Sequence, residues 1–278
     1  MEDGRSNNIK VGFIIQARIK SSRLPGKILL PLPISSTTSI LDRIIINLKQ
    51  STYQYDIVIA TSKNKENDII SEKFTTDSVT VYRGDEDDVL SRFIEICKNK
   101  AFDVIVRLTA DNPFVDIVLL DYLINKHMEE KKSYTCSKNL PLGMNFEIVD
   151  PKKIIELETK ELSREDKEHV TLYIKNNFPI SVNEFKINEF TEKARLTIDY
   201  PSDYALASII CELLDNETKP RNTSLLDRIE ELFKKNSWLS EINNSNFQKR
   251  QFSSEEEEIK EAKNVLQTLE YFNALKKL

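Results

Sequence analysis

The sequence predicts an α/β fold built on a mainly parallel sheet. Two observations carry this expectation. Four short apolar runs rich in branched residues alternate with segments of helical periodicity through the first half of the chain. The runs are continuous rather than alternating, as strands covered by helices on both faces are. Strand–helix alternation of this kind implies right-handed crossovers, and ligands on such sheets gather at the carboxyl ends of the strands.

Val11–Ile15 reads as the first buried strand, followed by a helix over Ile40–Leu48 whose apolar residues recur at helical spacing, with Ser39 as its N-cap. Ile57–Ala60 is the second strand and Lys65–Phe74 a short helix. Val79–Tyr82 is the third strand, and Asp87–Lys98 carries the helical stripe Val89, Leu90, Phe93 and Cys97. Val104–Leu108 is the fourth strand, followed by a helix over Val115–Met128. After Ser133 the pattern changes. Strands are expected at Tyr134–Ser137, Asn145–Val149, Ser181–Lys186 and Ala194–Ile198, and helices at Pro151–Glu161, Arg164–Asn176 and Pro201–Leu214. Ser163 with Asp166 forms a capping-box pattern. From Asn216 onward the chain is polar and reads as helical, and Ser253–Leu278 places acids first and Lys276–Lys277 last, the order a helix dipole favours. A boundary is therefore expected near Asn216, with one domain over 1–215 and a helical extension over 216–278.

A chain of 278 residues, 40% hydrophobic and 31% charged, can build both a core and a well-solvated surface. The net charge of -5 argues against broad nucleic-acid binding, which needs a basic face. Cys97, Cys136 and Cys211 form no CxxC pair, and only His127 and His169 offer imidazole, so no zinc site is expected. Three unpaired thiols suit a reducing cytosol. Met1–Lys10 is polar, and the apolar run after it is too short for a signal peptide or a membrane span. The expectation is a cytoplasmic protein with neither a membrane nor a nucleic acid as partner.

Three loops leave the carboxyl ends of the expected strands: Gln16–Lys27, Arg83–Asp88 and Thr109–Asp116. The first holds Arg18, Lys20, Arg23 and Lys27 on a chain that is acidic overall. Such a loop reads either as a solvated basic segment or as a receptor for a polyphosphate, which guanidinium, ammonium and backbone N–H groups recognise together. Pro25 stiffens the approach and Gly26 permits a tight turn. Neither GxxxxGK[ST] nor GxGxxG occurs, which excludes a Walker A loop and a dinucleotide fingerprint. Asp111 follows the fourth strand. It reads as an Asx turn before Pro113, or as a carboxylate placed to hold Mg2+ against phosphates.

The segment Gln16–Lys27, QARIKSSRLPGK, resembles the N-terminal signature of the cytidylyltransferase family that includes spore-coat polysaccharide biosynthesis nucleotidyltransferases, itself related to the CMP-sialic acid and CMP-KDO synthetases. The resemblance implies that Arg18, Arg23 and Lys27 act on the triphosphate as the catalytic cations, and that Gln16 and Ala17 line the base pocket. Arg107–Pro113, RLTADNP, is similar to the family segment whose aspartate binds metal, which points to Asp111. Arg195–Tyr204, RLTIDYPSDY, is similar to the element whose first aspartate completes that site, which points to Asp199 and to Mg2+ as cofactor. Asp203, in the first turn after Pro201, reads as a helix-end contact. Arg83–Leu90, RGDEDDVL, resembles a stretch near the base, making Arg83 and Asp88 nucleotide-binding candidates beside a plain capping role. Leu142–Glu147 corresponds to a G-x-D-x-E pattern with Asn145 where aspartate is usual, and with Glu147 it is expected to face the sugar. Glu168–Thr171 is similar to an EHVT element, so His169 is a sugar-site candidate as well as a packing or capping residue.

The resemblance spans Val11 to about Leu214. It implies a glycosyltransferase-A-like nucleotidyltransferase fold, a three-layer sandwich around a mixed, mostly parallel sheet. The activity implied is transfer of CMP from CTP to a sugar acid or related acceptor, with release of pyrophosphate, for surface polysaccharide or glycan biosynthesis. The implied partners are CTP and a small acidic sugar, and a homodimer is kept open. Two alternatives stand beside it: a sugar-1-phosphate nucleotidyltransferase using another NTP, and a nucleotide-binding assembly partner without turnover, acting through its C-terminal helices.

Overall fold

The computed structural model describes residues 9–192, 194–217, 223–246, 255–268 and 270–277. Among them seven strands form one sheet: β1 (Lys10–Gln16), β2 (Gln54–Ser62), β3 (Val79–Gly84), β4 (Val104–Thr109), β5 (Tyr134–Lys138), β6 (Glu147–Val149) and β7 (Ile180–Glu184). Their order is β3-β2-β1-β4-β6-β5-β7. The first four are parallel, β6 runs antiparallel to both β4 and β5, and β7 is parallel to β5. The sheet is therefore mixed and mostly parallel. Val11, Phe13 and Ile15 pack on one face of β1 and Ile14 on the other, all fully buried. Burial on both faces is why these strands read as unbroken apolar runs.

Helices cover both faces. Buried residues of α1 (Ile40–Leu48), α2 (Asp68–Phe74), α4 (Ile117–Glu130) and α9 (Pro201–Asp215) join the core on the Phe13 face. Those of α3 (Val89–Asn99), α5 (Pro151–Glu156) and α7 (Leu172–Asn177) join the core on the Ile14 face. The expected caps form: Ser39 with Asp42 makes a capping box on α1, and Ser163 with Asp166 makes one on α6 (Arg164–His169). A short α8 (Glu189–Glu192) precedes the segment leading into α9.

Two elements differ from expectation. The helix foreseen over Arg164–Asn176 is broken between α6 and α7 by Val170, which is fully buried at φ +52°. A β-branched residue is strained in that region, and here the break inserts Val170 into the core. Ala194–Ile198 is not a strand; Arg195 makes a single bridge to Leu142. Leu196 and Thr197 both donate their N–H to the Leu142 carbonyl, at 2.7 and 3.1 Å. That approach requires Gly143, whose φ is +101° and where a Cβ would lie 2.5 Å from the Thr197 nitrogen.

The chain divides into two compact units, Met1–Asn244 and Ser245–Leu278, a later break than the one expected near Asn216. The reason is α10 (Leu225–Lys235). Its stripe of Leu226, Ile229, Leu232 and Phe233 is buried in the same core as α9. Asp116 ties it further: one oxygen caps α4 through Val118 and Leu119, and the other accepts from Ser224 and from the Leu226 N–H. The second unit contains α11 (Glu255–Thr268) and α12 (Phe272–Leu275). Ser253, Ser254, Leu269 and Leu278 of the expected terminal helix lie outside the described residues. No helix among the described residues is long and apolar enough to cross a membrane.

Candidate active site

The loop after β1 is pinned before it turns. The Ala17 N–H donates to the Ala60 carbonyl at 3.1 Å. The Ile19 N–H donates to the Asn67 side chain at 2.9 Å, and buried Asn67 donates onward to Ser62 Oγ at 2.7 Å. Gly26, at φ +68°, closes the loop by donating its N–H to the Ile19 carbonyl at 3.0 Å. The next residue, Lys27, opens a single 3-10 turn and points inward, 8% exposed. Its Nζ donates to Asp111 Oδ2 at 3.0 Å, to Asp199 Oδ1 at 2.9 Å and to the Ile198 carbonyl at 2.7 Å. The Ile198 N–H donates to the Asp111 carbonyl at 2.9 Å, joining the two carboxylate-bearing segments directly.

The second oxygen of Asp199 faces Arg23 at 3.1 Å and Arg195 at 2.8 Å. Burial pushes the Asp199 pKa up, but Lys27, Arg23 and Arg195 outweigh it and hold the carboxyl below its ordinary range. Buried Arg195 also donates its Nε to both oxygens of Asp203, at 3.1 and 3.2 Å. Asp203 in turn accepts the N–H groups of Asp199 and Tyr200, each at 2.9 Å, so it caps α9 as expected while orienting Asp199. Asn243 donates to Asp203 at 2.9 Å and to the Arg195 carbonyl at 2.8 Å. The guanidinium groups of Arg23 and Arg195 lie over the Tyr200 ring, 4.6 and 5.7 Å from its centroid. Sequence reasoning missed Arg195, Tyr200 and Asn243. The first two lie inside the RLTIDYPSDY element, and nothing local marks Asn243.

The remaining candidates are placed elsewhere. Arg18 has a side chain 66% exposed and pairs with Glu86 at 4.0 Å, so the loop's cations do not converge as a set. Arg83 holds the segment after β2, donating to the carbonyls of Ser62 at 3.2 Å and Asn64 at 3.0 Å and pairing with Asp68 at 2.6 Å. Asp88 caps α3 by accepting from the Ser91 N–H at 2.9 Å. Asn145 is exposed and accepts from Ser137 Oγ at 3.4 Å, and His169 is exposed at the end of α6.

A cytidylyltransferase family model matches residues 12–268. The chain is 40% identical over 200 residues to the spore coat polysaccharide biosynthesis protein SpsF of Bacillus subtilis, covering 69% of this chain and 82% of that protein. The chain belongs to the cytidylyltransferase family. Its structure is similar to that of a cytidylyltransferase from Leptospira borgpetersenii (TM-score 0.74, 28% identity, 87% of this chain and 100% of that one). It shares the fold of a CMP:2-keto-3-deoxy-manno-octonic acid synthetase solved with CTP (TM-score 0.53, 14% identity, 74% and 98% covered). The family match extends past Leu214, the end of the resemblance read from the sequence, and so takes in α10 and Asn243.

In this cytidylyltransferase a second polar cluster lies beside the first. Gln16 Oε1 accepts from Arg107 at 3.2 Å, and Arg107 pairs with Glu147 at 2.7 Å. Glu147 also accepts from the hydroxyls of Tyr134 at 2.8 Å and Thr171 at 3.2 Å, and from Lys175. Its carboxylate is thus held by four protein donors. Burial works to raise the Glu147 pKa, but Arg107 and Lys175 prevail and bring it from 4.5 to about 2. A depressed carboxyl pKa contributes stability that is present above the unfolded value and lost as pH falls through the folded one. The stability difference between wild type and Glu147→Gln is therefore expected to be full near neutral pH and to narrow between pH 4.5 and about 2, as read by urea denaturation across that range.

The residues around Lys27 suit a hard divalent cation. Two carboxylate oxygens reach one point, the chemistry Mg2+ prefers. Among the described residues no group of three or more His, Cys, Asp or Glu gathers to form an all-protein cage. Mg2+ commonly takes one or two carboxylates and completes its shell with phosphate oxygens and water.

Proposed function

We infer that the chain transfers CMP from CTP to a small sugar acid or related acceptor, releasing pyrophosphate. The observation that carries this reading is the meeting of Asp111 and Asp199 on the Lys27 ammonium, with Arg23 on the other oxygen of Asp199. Asp111 and Asp199 would hold Mg2+, which when bound supplies charge neutralisation for the triphosphate. Arg23, and Lys27 once it is freed from the two carboxylates, would meet the negative charge that grows on the leaving pyrophosphate. Gln16, at the end of β1 and held by Arg107, is available to a base, and Ala17 is buried next to it. Arg107 and Lys175 flank the single carboxylate of Glu147, leaving a surplus positive charge that favours an acidic acceptor. In-line displacement at the α-phosphorus then depends on positioning and charge stabilisation rather than on covalent chemistry by the protein. A cytoplasmic setting accords with the three free thiols; burial pushes those of Cys97 and Cys211 up to about 12.

The test is pyrophosphate release with each of the four NTPs and Mg2+, against a panel of sugar acids and sugar 1-phosphates. CTP-selective turnover with an acidic acceptor is the expected result. Selectivity for another NTP with a sugar 1-phosphate would replace this reading. Lys27→Ala is expected to lower kcat by about 100-fold, comparable to loss of one charge-stabilising donor. Turnover close to wild type would remove Lys27 from the reaction.

A further inference from the structure

Lys27 cannot serve the triphosphate from the position it holds. An ammonium has three donors, and here Asp111, Asp199 and the Ile198 carbonyl take all three. The side chain is 9% exposed, so little of it faces a ligand. Mg2+ approaches carboxylate oxygens at about 2.0–2.1 Å. The two oxygens that would bind it lie 3.0 and 2.9 Å from Lys27 Nζ, so cation and ammonium compete for one point. Like charges so close repel strongly in a partly buried site.

The geometry points to Lys27 as an internal counter-ion that holds the Asp111–Asp199 pair together until a divalent cation takes its place, whereupon the released ammonium turns to the triphosphate. This rests on the reading of Asp111 and Asp199 as the metal-binding carboxylates. Two close carboxylates with no cation between them repel, and Lys27 keeps them preorganised. Ile28, the next residue, is 2% exposed and anchors the backbone, so the exchange is a swing of the lysine's flexible stem. Nothing lies within 4 Å of where a Gly26 side chain would begin, which leaves the preceding turn uncrowded. Charge balance follows: the site trades one ammonium for a dication as a polyanion arrives.

The experiment titrates Mn2+ into nucleotide-free protein and reads binding by water-proton relaxation, for wild type, Lys27→Met and Asp111→Asn. Removing the competitor is expected to tighten Mn2+ binding by about tenfold in Lys27→Met, within the usual range of coupling between sites. Equal or weaker binding would overturn the exchange. Should Lys27→Met fail to fold, wild type alone decides by amine acylation followed by mass spectrometry. Lys27 is expected to react severalfold faster once Mn2+ is added, and an unchanged rate would overturn the proposal. The Asp111→Asn arm separates the two ideas. Mn2+ binding indifferent to Asp111→Asn removes the metal-site reading itself. Binding weakened by Asp111→Asn but untouched by Lys27→Met removes the counter-ion role alone.

Discussion

Asp199→Asn is expected to lower kcat by about 1,000-fold with the fold retained, the upper end of what a single charge-stabilising group contributes. Asp199 stands at the centre of the charge arrangement: one oxygen faces Lys27, and the other faces both Arg23 and Arg195. An amide of the same shape presents an N–H2 group to at least one of these donors and carries no charge to offset them. It is also the poorer ligand for a hard cation. The fold should survive because Arg195, the most buried of the three cations, keeps Asp203 as its partner. Asp111→Asn should cost less, since its carboxylate faces Lys27 alone among the described ion pairs and is more exposed than Asp199. Steady-state rates over an Mg2+ titration, with circular dichroism to check folding, measure both variants. If Asp199→Asn keeps turnover within tenfold of wild type, the convergence at Lys27 is structural and the chemistry lies elsewhere.

How much of this was legible depended on whether the controlling interactions were local. Strands β1 to β4 were legible because parallel strands covered on both faces leave unbroken apolar runs such as Val11–Ile15. The capping boxes at Ser39 and Ser163 were legible because both partners sit within one turn. Motif resemblance pointed to Asp111 and Asp199 as ligands of one Mg2+, and the structure brings both carboxylates onto the Lys27 ammonium. The inward turn of Lys27 was not legible, since four cations in a loop look alike until tertiary contacts sort them. Arg18 stays in solvent and Lys27 is pulled onto partly buried carboxylates. The break at Val170 was hidden because the core's claim on one valine overrode local helix propensity. The extent of the first compact unit was hidden for a similar reason. The segment from Asn216 onward reads only as polar and helical, and the burial of α10 against α9 and its tie to Asp116 show where it belongs.

Asp203→Ala is the substitution expected to cost the most stability, about 3–5 kcal/mol, the range for removing one partner of a buried ion pair. The Asp203 side chain is fully buried and that of Arg195 is 7% exposed, so truncation removes the guanidinium's buried partner and leaves it only the more exposed Asp199 carboxylate. It also removes the acceptor of the Asp199 and Tyr200 N–H groups and one of the two acceptors of the Asn243 amide. Asn243→Ala removes one hydrogen bond to a carboxylate and one to a carbonyl at the same place and should cost about 1–3 kcal/mol. Urea midpoints at constant m-value would order the two. If the penalty of Asp203→Ala arises from the under-compensated charge, adding Arg195→Met should recover part of it, because a neutral side chain of similar length needs no counter-ion. Activity should not recover in that double variant, since Arg195 also faces Asp199. Stability regained without turnover would separate the packing role of this ion pair from its role in aiming Asp199. A double variant no more stable than Asp203→Ala would instead place the cost in the unsatisfied backbone at the start of α9.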